Sequence, residues 1–295
     1  MAGYALRVVI FLRLIFGYNF TIVEEQFFVG QKSVRKSAIE AARAGGVVLM
    51  KYFGTGVKVH RKGAINLVTE ADLRSEKRVT DILRNYYPEH QILSEETTYP
   101  SSASPYKWII DPLDGTTNYA HNYPCFSVSI GFEKAGKLEL GVVYNPILDE
   151  LFVAERHNGA TLNGRRIHVS AAARLADSFL ATGFPYDIRT NPNNNLDHFV
   201  NLALRARAVR RNGSAAIDLC YVAAGRFDGF WELRLSPWDM AAGALILQEA
   251  GGKITDFQGN PLNIYQEQVV ASNRKIHNTL LNVLQLGRQR RIRSG

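Results

Sequence analysis

The segment WIIDPLDGTTNYAH, residues 108–121, changes from apolar to acidic in its middle. The apolar run predicts a buried strand that ends at Asp111, and Asp114 follows three residues later. Because Asp, Pro and Gly all favour turn positions, a polar turn explains this composition. A metal site explains the two carboxylates as well, provided that further carboxylates converge on them. On this segment alone both interpretations stay open.

Two glutamates, Glu95 and Glu96, end the preceding apolar run, QILSEE. Carboxylates at the ends of neighbouring strands can face each other across a short gap, where they repel each other strongly. Such a cluster is tolerable when cations compensate its charge. The two glutamates therefore favour the metal interpretation of Asp111 and Asp114.

Asp239 and Asp72 each have two interpretations. Asp239 follows Ser236 and Pro237, which are typical of a helix N-terminus, so it is a helix-capping acid or a further metal ligand. Asp72 lies three residues after Thr69, which is the spacing of a capping box with Asp in place of Glu. The local sequence does not decide between these roles.

The order of apolar patterns predicts an α/β (α+β) domain. Helical periodicity at 34–53 and 70–86 is followed by short apolar runs with glycine turns, which predict antiparallel strands and a hairpin around 134–137. After residue 178 helices alternate with strands. The expected helices there are 196–206, 214–224, 237–250 and 274–286, with strands near 179, at 227–234, and near 254 and 270.

The composition restricts the class of protein. Only two cysteines occur among 295 residues, both in apolar segments, which fits a reducing compartment and predicts a cytoplasmic protein. Four arginines in the last eight residues supply half of the formal charge of +8. We interpret this basic tail, 288–295, as a solvated end, and nucleic acid is not expected to be the main partner because no aromatic residues are interleaved with it.

Three parts of the chain are expected. Residues 1–30 are predicted to be an N-terminal extension that is mobile or results from an over-extended start of the chain. Their apolar run is broken by arginines and is too short for a membrane span of roughly 18 residues. Residues 31–287 predict a single domain, with a metal-binding half at about 31–175 and a substrate-side half at about 176–287. A targeting or anchoring helix at 5–16 is the alternative for the start.

The acidic segments in combination resemble one family closely. DPLDGTTN at 111–118, SEE at 94–96 and the W-D-x-A-x-G pattern at 238–243 are similar to inositol monophosphatases, and the resemblance spans about 34–286. It implies a layered αβαβα sandwich of the inositol monophosphatase and fructose bisphosphatase type. It also implies a Mg²⁺-dependent, lithium-sensitive phosphomonoesterase with two to three ions per active site.

The resemblance assigns the metal ligands by position. Glu95 and Asp111, with the backbone carbonyl of Leu113, match the tighter metal site, and Asp111, Asp114 and Asp239 match the second. All of these ligands are oxygens, which favours a hard cation such as Mg²⁺ over zinc.

The resemblance also assigns the groups that act on phosphate and water. Gly115 and Thr116 match the residues whose backbone N–H groups hold the phosphate. Asp72 matches the acid that pairs with the Thr116 hydroxyl to orient the attacking water. Glu96 fits an outer role beside the metal ligands. Because no serine or cysteine stands with a base in a nucleophile motif, direct attack by water is the expected mechanism.

The substrate is expected to be a small phosphorylated polyol, inositol 1-monophosphate first. Gly213, Ser214 and Ala215 match the family's sugar-contacting turn, although threonine is also found where Ser214 stands. Glu232 matches the acid that binds ring hydroxyls in inositol-specific members, and an exposed strand acid is its alternative interpretation. Histidinol phosphate, fructose 1,6-bisphosphate and phosphoadenosine nucleotides are alternative substrates within the superfamily.

Family members are often dimers, so a homodimer is expected. A role as an RNA- or transcription-associated binding protein is the alternative from another functional class.

Overall fold

The computed structural model describes residues 33–55, 59–61, 67–100 and 102–286, without the side chains of 59–61 and 67–69. The helices are α1 (Val34–Tyr52), α2 (Glu70–Tyr86), α3 (Thr116–Ala120), α4 (Leu196–Ala203), α5 (Ala215–Ala223), α6 (Pro237–Glu249) and α7 (His277–Leu284). The strands are β1 (Val59–Arg61), β2 (Leu67–Thr69), β3 (Gln91–Ser94), β4 (Tyr106–Asp114), β5 (Ser127–Lys134), β6 (Lys137–Asn145), β7 (Glu150–Glu155), β8 (Ala160–Leu162), β9 (Arg165–Arg166), β10 (Phe179–Thr182), β11 (Ala208–Arg210), β12 (Gly229–Leu233), β13 (Lys253–Thr255) and β14 (Gln268–Ser272). Within the described ranges no helix is both long enough and apolar enough to cross a membrane.

A seven-stranded sheet carries the first acidic segments. Its strands follow chain order from β3 to β9, and every pair is antiparallel except β3 with β4. In that parallel pair Ser94 lies opposite Ile110. Because β3 and β4 run parallel, Glu95, which follows the end of β3, comes beside Asp111 of β4.

A second sheet of five strands has the order β11-β10-β12-β14-β13. Strand β10 runs parallel to both β11 and β12, whereas β12, β14 and β13 are joined antiparallel. Glu232 lies on the central strand β12, opposite Val269 of β14. This sheet therefore carries Glu232, which the sequence analysis expects on the substrate side.

The two sheets are separated by helices. Helices α1 and α2 pack on the outer face of the seven-stranded sheet, α5 and α6 lie between the sheets, and α4 and α7 cover the five-stranded sheet. The central core joins Phe152 of the larger sheet, Leu245 of α6 and Phe230 of the smaller sheet. The expected αβαβα sandwich is confirmed.

Helix α6 approaches the seven-stranded sheet closely. A Cβ atom at Gly141 would lie 2.5 Å from the backbone oxygen of Ala242, and one at Gly131 would lie 2.8 Å from the Ala241 Cβ. Glycine is therefore required where the helix crosses β5 and β6. This contact sets the start of α6 beside the end of β4.

The predicted elements are present, with shorter ends in the second half. Helix 70–86 and the hairpin at Lys134 and Lys137 are as predicted, whereas helix 274–286 is observed at His277–Leu284 and helix 196–206 at Leu196–Ala203. The later start of α7 has a physical reason, since Arg274 has a φ of 71° and cannot continue a right-handed helix. The predictions for 1–30 and 288–295 fall outside the described residues, and the division at about residue 175 stays a prediction.

Candidate active site

Three aspartates converge at the end of β4. Asp111, Asp114 and Asp239 each offer a carboxylate oxygen within 4.8 Å of the others. Asp111 and Asp114 flank an irregularity in the pairing of β4 with β5, which lets both carboxylates leave one strand end together. Asp239 arrives from the first turn of α6. The site therefore depends on two elements that are far apart in the sequence.

The structure decides the turn interpretation of Asp111 and Asp114 and the helix-cap interpretation of Asp239 in different ways. The Asp111–Asp114 segment continues β4 rather than forming an isolated turn. Asp239 is both a helix-capping acid and a member of the acidic group, because its Oδ2 accepts the Ser236 backbone N–H at 2.6 Å. One carboxylate can serve both roles, since it has two oxygens.

The N-terminus of α5 contacts the carboxylate of Asp114. Ser214 caps this helix, and its hydroxyl donates to Asp114 Oδ2 at 2.5 Å. The Ala216 backbone N–H donates to the same oxygen at 2.9 Å. Ser214, which was expected to contact substrate, thus lines the cavity and also orients Asp114.

Burial and crowding make the acidic group unfavourable without a cation. Burial, followed by the charges of Glu95, Asp114 and Asp239, raises the pKa of Asp111 well above its usual range. Burial also raises the pKa of Asp114 to about 6, against the Ser214 hydrogen bond, and that of Asp239 to about 7. A set of oxygen ligands under mutual repulsion fits a hard divalent cation, so these residues could hold a metal.

The metal-free protein is expected to lose stability between about pH 6.5 and pH 8.5. An unfolded aspartate titrates near 3.9, whereas folded Asp239 titrates at about 7 and Asp111 higher than its usual range. The folded state therefore binds more protons in this interval, and the free energy of unfolding falls as pH rises. Buried His277 has the opposite effect, because burial lowers its pKa to about 4, but most of its contribution is gained below the unfolded pKa of about 6.5.

Thermal unfolding in a chelator at the two pH values measures this effect. We expect a lower Tm at about pH 8.5, recovery of Tm on adding Mg²⁺, and a smaller pH dependence in Asp239→Asn. An equal or higher chelated Tm at the higher pH would contradict the proposed crowding of carboxylates.

A buried acid and a hydroxyl stand beside the aspartates. Asp72 is fully buried, and the Thr116 Oγ1 lies 3.2 Å from its Oδ1 and 3.1 Å from the Leu113 carbonyl oxygen. Gly115 precedes Thr116 with a φ of 103°, and a Cβ there would lie 2.9 Å from the Cys125 carbonyl oxygen. Glycine is thus required to turn the chain so that Thr116 reaches Asp72.

The two glutamates after β3 occupy different positions. Glu95 lines the cavity, and its charge contributes to the raised pKa of Asp111, but it is not part of the three-aspartate group. Glu96 is absent from the residues that line the cavity, and its backbone N–H donates to Glu76 Oε2 at 3.1 Å. The structure thus places Glu95 at the cavity and Glu96 away from it, and the metal roles expected for the two glutamates stay predictions.

A cavity of about 430 Å³ lies over the acidic group. Gly213, Ser214, Ala215 and Glu232 all line it. Glu232 is only partly exposed, and burial, followed by the charge of Asp218, raises its pKa well above the usual range. The alternative that Glu232 is merely an exposed strand acid is wrong.

Several cavity residues were missed by the sequence analysis. Arg234, two residues after Glu232, has a φ of 60° and forms an ion pair at 3.2 Å with Asp187. Tyr186 lies on the same irregular loop as Asp187 and lines the cavity. Arg234 could have been found from its place between Glu232 and Asp239, whereas the loop of Tyr186 carries no periodic pattern.

The layered sandwich, the carboxylate group that could hold a metal and the cavity above it fit a phosphatase of the metal-dependent kind. Residues 30–288 match the inositol monophosphatase family, and the chain belongs to that family. It is 45% identical over 249 residues to an inositol-1-monophosphatase of Synechocystis, covering 84% of this chain and 87% of that protein. It is 43% identical over 257 residues to the Nus factor SuhB of Pseudomonas aeruginosa, covering 84% and 94%. The structure of an inositol monophosphatase from Anabaena superposes with a TM-score of 0.78 at 45% identity, covering 85% of this chain and 94% of that one.

Proposed function

We propose that the protein hydrolyses a phosphate monoester of a small polyol, most directly inositol 1-monophosphate, with Mg²⁺ as its cofactor. The observation that carries the proposal is the convergence of Asp111, Asp114 and Asp239 within 4.8 Å at the floor of the cavity. Similarity to an inositol-1-monophosphatase supports the choice of substrate.

The metal ligands would be the three aspartates, Glu95 and the Leu113 carbonyl, for two to three Mg²⁺ ions. When bound, such ions supply an activated water and neutralise the charge of the phosphate and of the leaving alkoxide. Inhibition by lithium is expected as part of the same proposal. The chain's own residues then have to place the phosphate, orient the water and accept its proton.

Three residues carry these tasks in the proposal. The Thr116 hydroxyl donates to Asp72, which leaves the lone pairs of its oxygen to accept a hydrogen bond from the attacking water. Asp72 is then the acceptor toward which the proton moves through Thr116. The backbone N–H groups of Gly115 and Thr116 would donate to the phosphate oxygens that face away from the carboxylates.

Replacing Glu232 with Gln should raise KM for inositol 1-monophosphate and leave KM for a small aryl phosphate unchanged. A carboxylate accepts stronger hydrogen bonds from ring hydroxyls than an amide does, and the aryl compound offers none. Because the contact exists in the ground state and the transition state alike, KM rather than kcat changes. Steady-state kinetics on both substrates measures the asymmetry.

Glu267→Gln is the control, since Glu267 is exposed near the same sheet and does not line the cavity. A loss common to both substrates would assign Glu232 to the fold or to the metal site. No change on either substrate would reduce the proposal to an unspecified phosphomonoesterase.

The function itself is tested by phosphate release from a panel of inositol, sugar, histidinol and adenosine phosphates with Mg²⁺ and with a chelator. Highest kcat/KM on inositol 1-monophosphate, abolished by the chelator and restored by Mg²⁺, is the expected result. Preference for histidinol phosphate, fructose 1,6-bisphosphate or a phosphoadenosine nucleotide would keep the chemistry and change the substrate.

An RNA- or transcription-associated role is the second candidate, favoured by similarity to proteins named Nus factor SuhB. Binding to nucleic acid that falls with salt and survives Asp239→Asn would support it.

A homodimer and a cytoplasmic location also belong to our proposal. Three exposed apolar side chains on and beside α4, Leu196, Val200 and Leu204, support contact with another chain, which light scattering would test.

A further inference from the structure

One face of helix α2 contacts every segment that brings an acid to the site from the seven-stranded sheet. Asp72, Ser75 and Glu76 lie at positions i, i+3 and i+4, so they share a face, and all three are buried. Asp72 contacts Thr116, as described above. The other two residues have no role in the proposed chemistry, and their partners lie on two further segments.

Ser75 contacts the chain between two of the aspartates. Its hydroxyl donates to the Pro112 carbonyl oxygen at 2.9 Å in a buried environment. Pro112 lies between Asp111 and Leu113, so this hydrogen bond ties the irregular end of β4 to α2.

Glu76 contacts the segment that carries Glu95. Its carboxylate accepts hydrogen bonds from the Ser94 hydroxyl at 2.6 Å, the Glu96 backbone N–H at 3.1 Å and the Tyr99 hydroxyl at 3.0 Å. Two of these donors are the immediate neighbours of Glu95. Hydrogen bonds to a charged acceptor are the stronger kind, and here one carboxylate collects three of them.

The third donor is itself held against the helix. The Arg84 guanidinium lies 4.4 Å from the centre of the Tyr99 ring, and Arg84 is in the last turn of α2. The segment from Ser94 to Tyr99 is therefore fastened to α2 at both ends, by a carboxylate and by a cation over an aromatic ring.

We propose that Glu76 is a positioning residue that fixes the Glu95 segment to α2, so that one helix sets the relative positions of Glu95, Asp72 and the end of β4. This inference rests on the proposed metal-dependent function. Because Glu95 follows a strand end without regular structure of its own, its carboxylate has to be placed by such contacts. Outer partners of metal ligands typically change metal affinity by about 10- to 100-fold when they are lost.

The test compares Glu76→Gln with Asp81→Asn in the full chain. Both changes turn a carboxylate of α2 into its amide, but Asp81 is on the exposed side, paired with Lys77 at 2.7 Å. Mn²⁺ binding, followed by electron paramagnetic resonance of the free ion, is the readout, and it does not depend on turnover. We expect the Mn²⁺ Kd of Glu76→Gln to rise by about 10- to 100-fold, and that of Asp81→Asn to match the parent protein.

The outcomes separate this inference from the proposed function. If the parent protein binds Mn²⁺ and Glu76→Gln binds it equally well, Glu76 is only a buried structural acid and the inference is overturned. If the parent protein binds no Mn²⁺, the metal-dependent function fails and the inference fails with it.

Tyr99→Phe provides a milder variant in case Glu76→Gln does not fold. It removes one of the three donors and keeps the ring under Arg84. We expect a smaller rise in Kd than for Glu76→Gln and, where Glu76→Gln folds, no further rise in the double variant, because Tyr99 acts through Glu76. Mn²⁺ affinity unchanged in Tyr99→Phe, or losses that add fully in the double variant, would overturn the inference.

Discussion

Replacing Asp239 with Asn is expected to lower kcat/KM by about 10²- to 10³-fold while the fold is retained, the scale on which loss of one stabiliser of transition-state charge acts. The Asn carbonyl oxygen can still accept the Ser236 N–H, which Asp239 accepts at 2.6 Å. The amide NH₂ group then faces Asp111 and Asp114, where a donor repels a cation. Helix capping is thus kept and metal binding is lost.

Stability distinguishes this explanation from simple unfolding. Because Asp239 is crowded by Asp114, removal of its charge should leave the Tm of the metal-free protein unchanged or raise it. Mg²⁺ should then raise the Tm less than it does in the parent protein. Asp197→Asn is the matched control, since Asp197 is also a first-turn acid of a helix but does not line the cavity. Near-normal turnover of Asp239→Asn at saturating Mg²⁺ would refute the role of Asp239 as a ligand.

Replacing Asp72 with Asn is expected to lower kcat by about 10²- to 10⁴-fold, the usual contribution of general acid–base assistance. Metal affinity should change little, because Asp72 contacts the Thr116 hydroxyl and is not part of the three-aspartate group. An amide at this position can still hold Thr116 in place but cannot take up a proton. The measurements are kcat at saturating Mg²⁺ and Mn²⁺ affinity on the same preparation.

Glu70→Gln is the control for a capping role, since Glu70 lies in the same first turn of α2 and is exposed beside Arg74. If Asp72 were only a helix cap, its loss would cost roughly 1 kcal/mol of stability and leave the rate unchanged. A full rate in Asp72→Asn would therefore exclude it from water activation.

Local patterns in the sequence predicted most of the longer elements, and together with the family resemblance they indicated which acids to expect at the site. Helix α2 was predicted with its observed ends because a 17-residue amphipathic pattern is bounded by Pro88. The acids at 95, 111 and 114 were singled out because they end or follow apolar runs, and Asp239 was singled out because it lies at a helix start. Their assignment as metal ligands came from the family resemblance. A set of acids without His or Cys would suit a hard cation, and this could be argued before any geometry was known.

The same local patterns could not decide which acids meet. Asp239 looked like a capping acid, and it is one, but its place beside Asp111 depends on how closely α6 crosses the sheet at Gly141. Asp72 reaches Thr116 across 44 residues of chain. Such contacts follow from long-range packing, which leaves no periodic trace in the sequence.

The sequence by itself therefore determined the elements, the family and the kind of metal ion that the acids would suit. Only the tertiary structure decided that Glu232 is partly buried in the cavity wall, that Ser214 orients Asp114, and that Glu76 collects the donors around Glu95. The physical reason is that propensity and periodicity act over a few neighbouring residues. Burial and hydrogen-bond partners instead depend on which distant segments the core brings together.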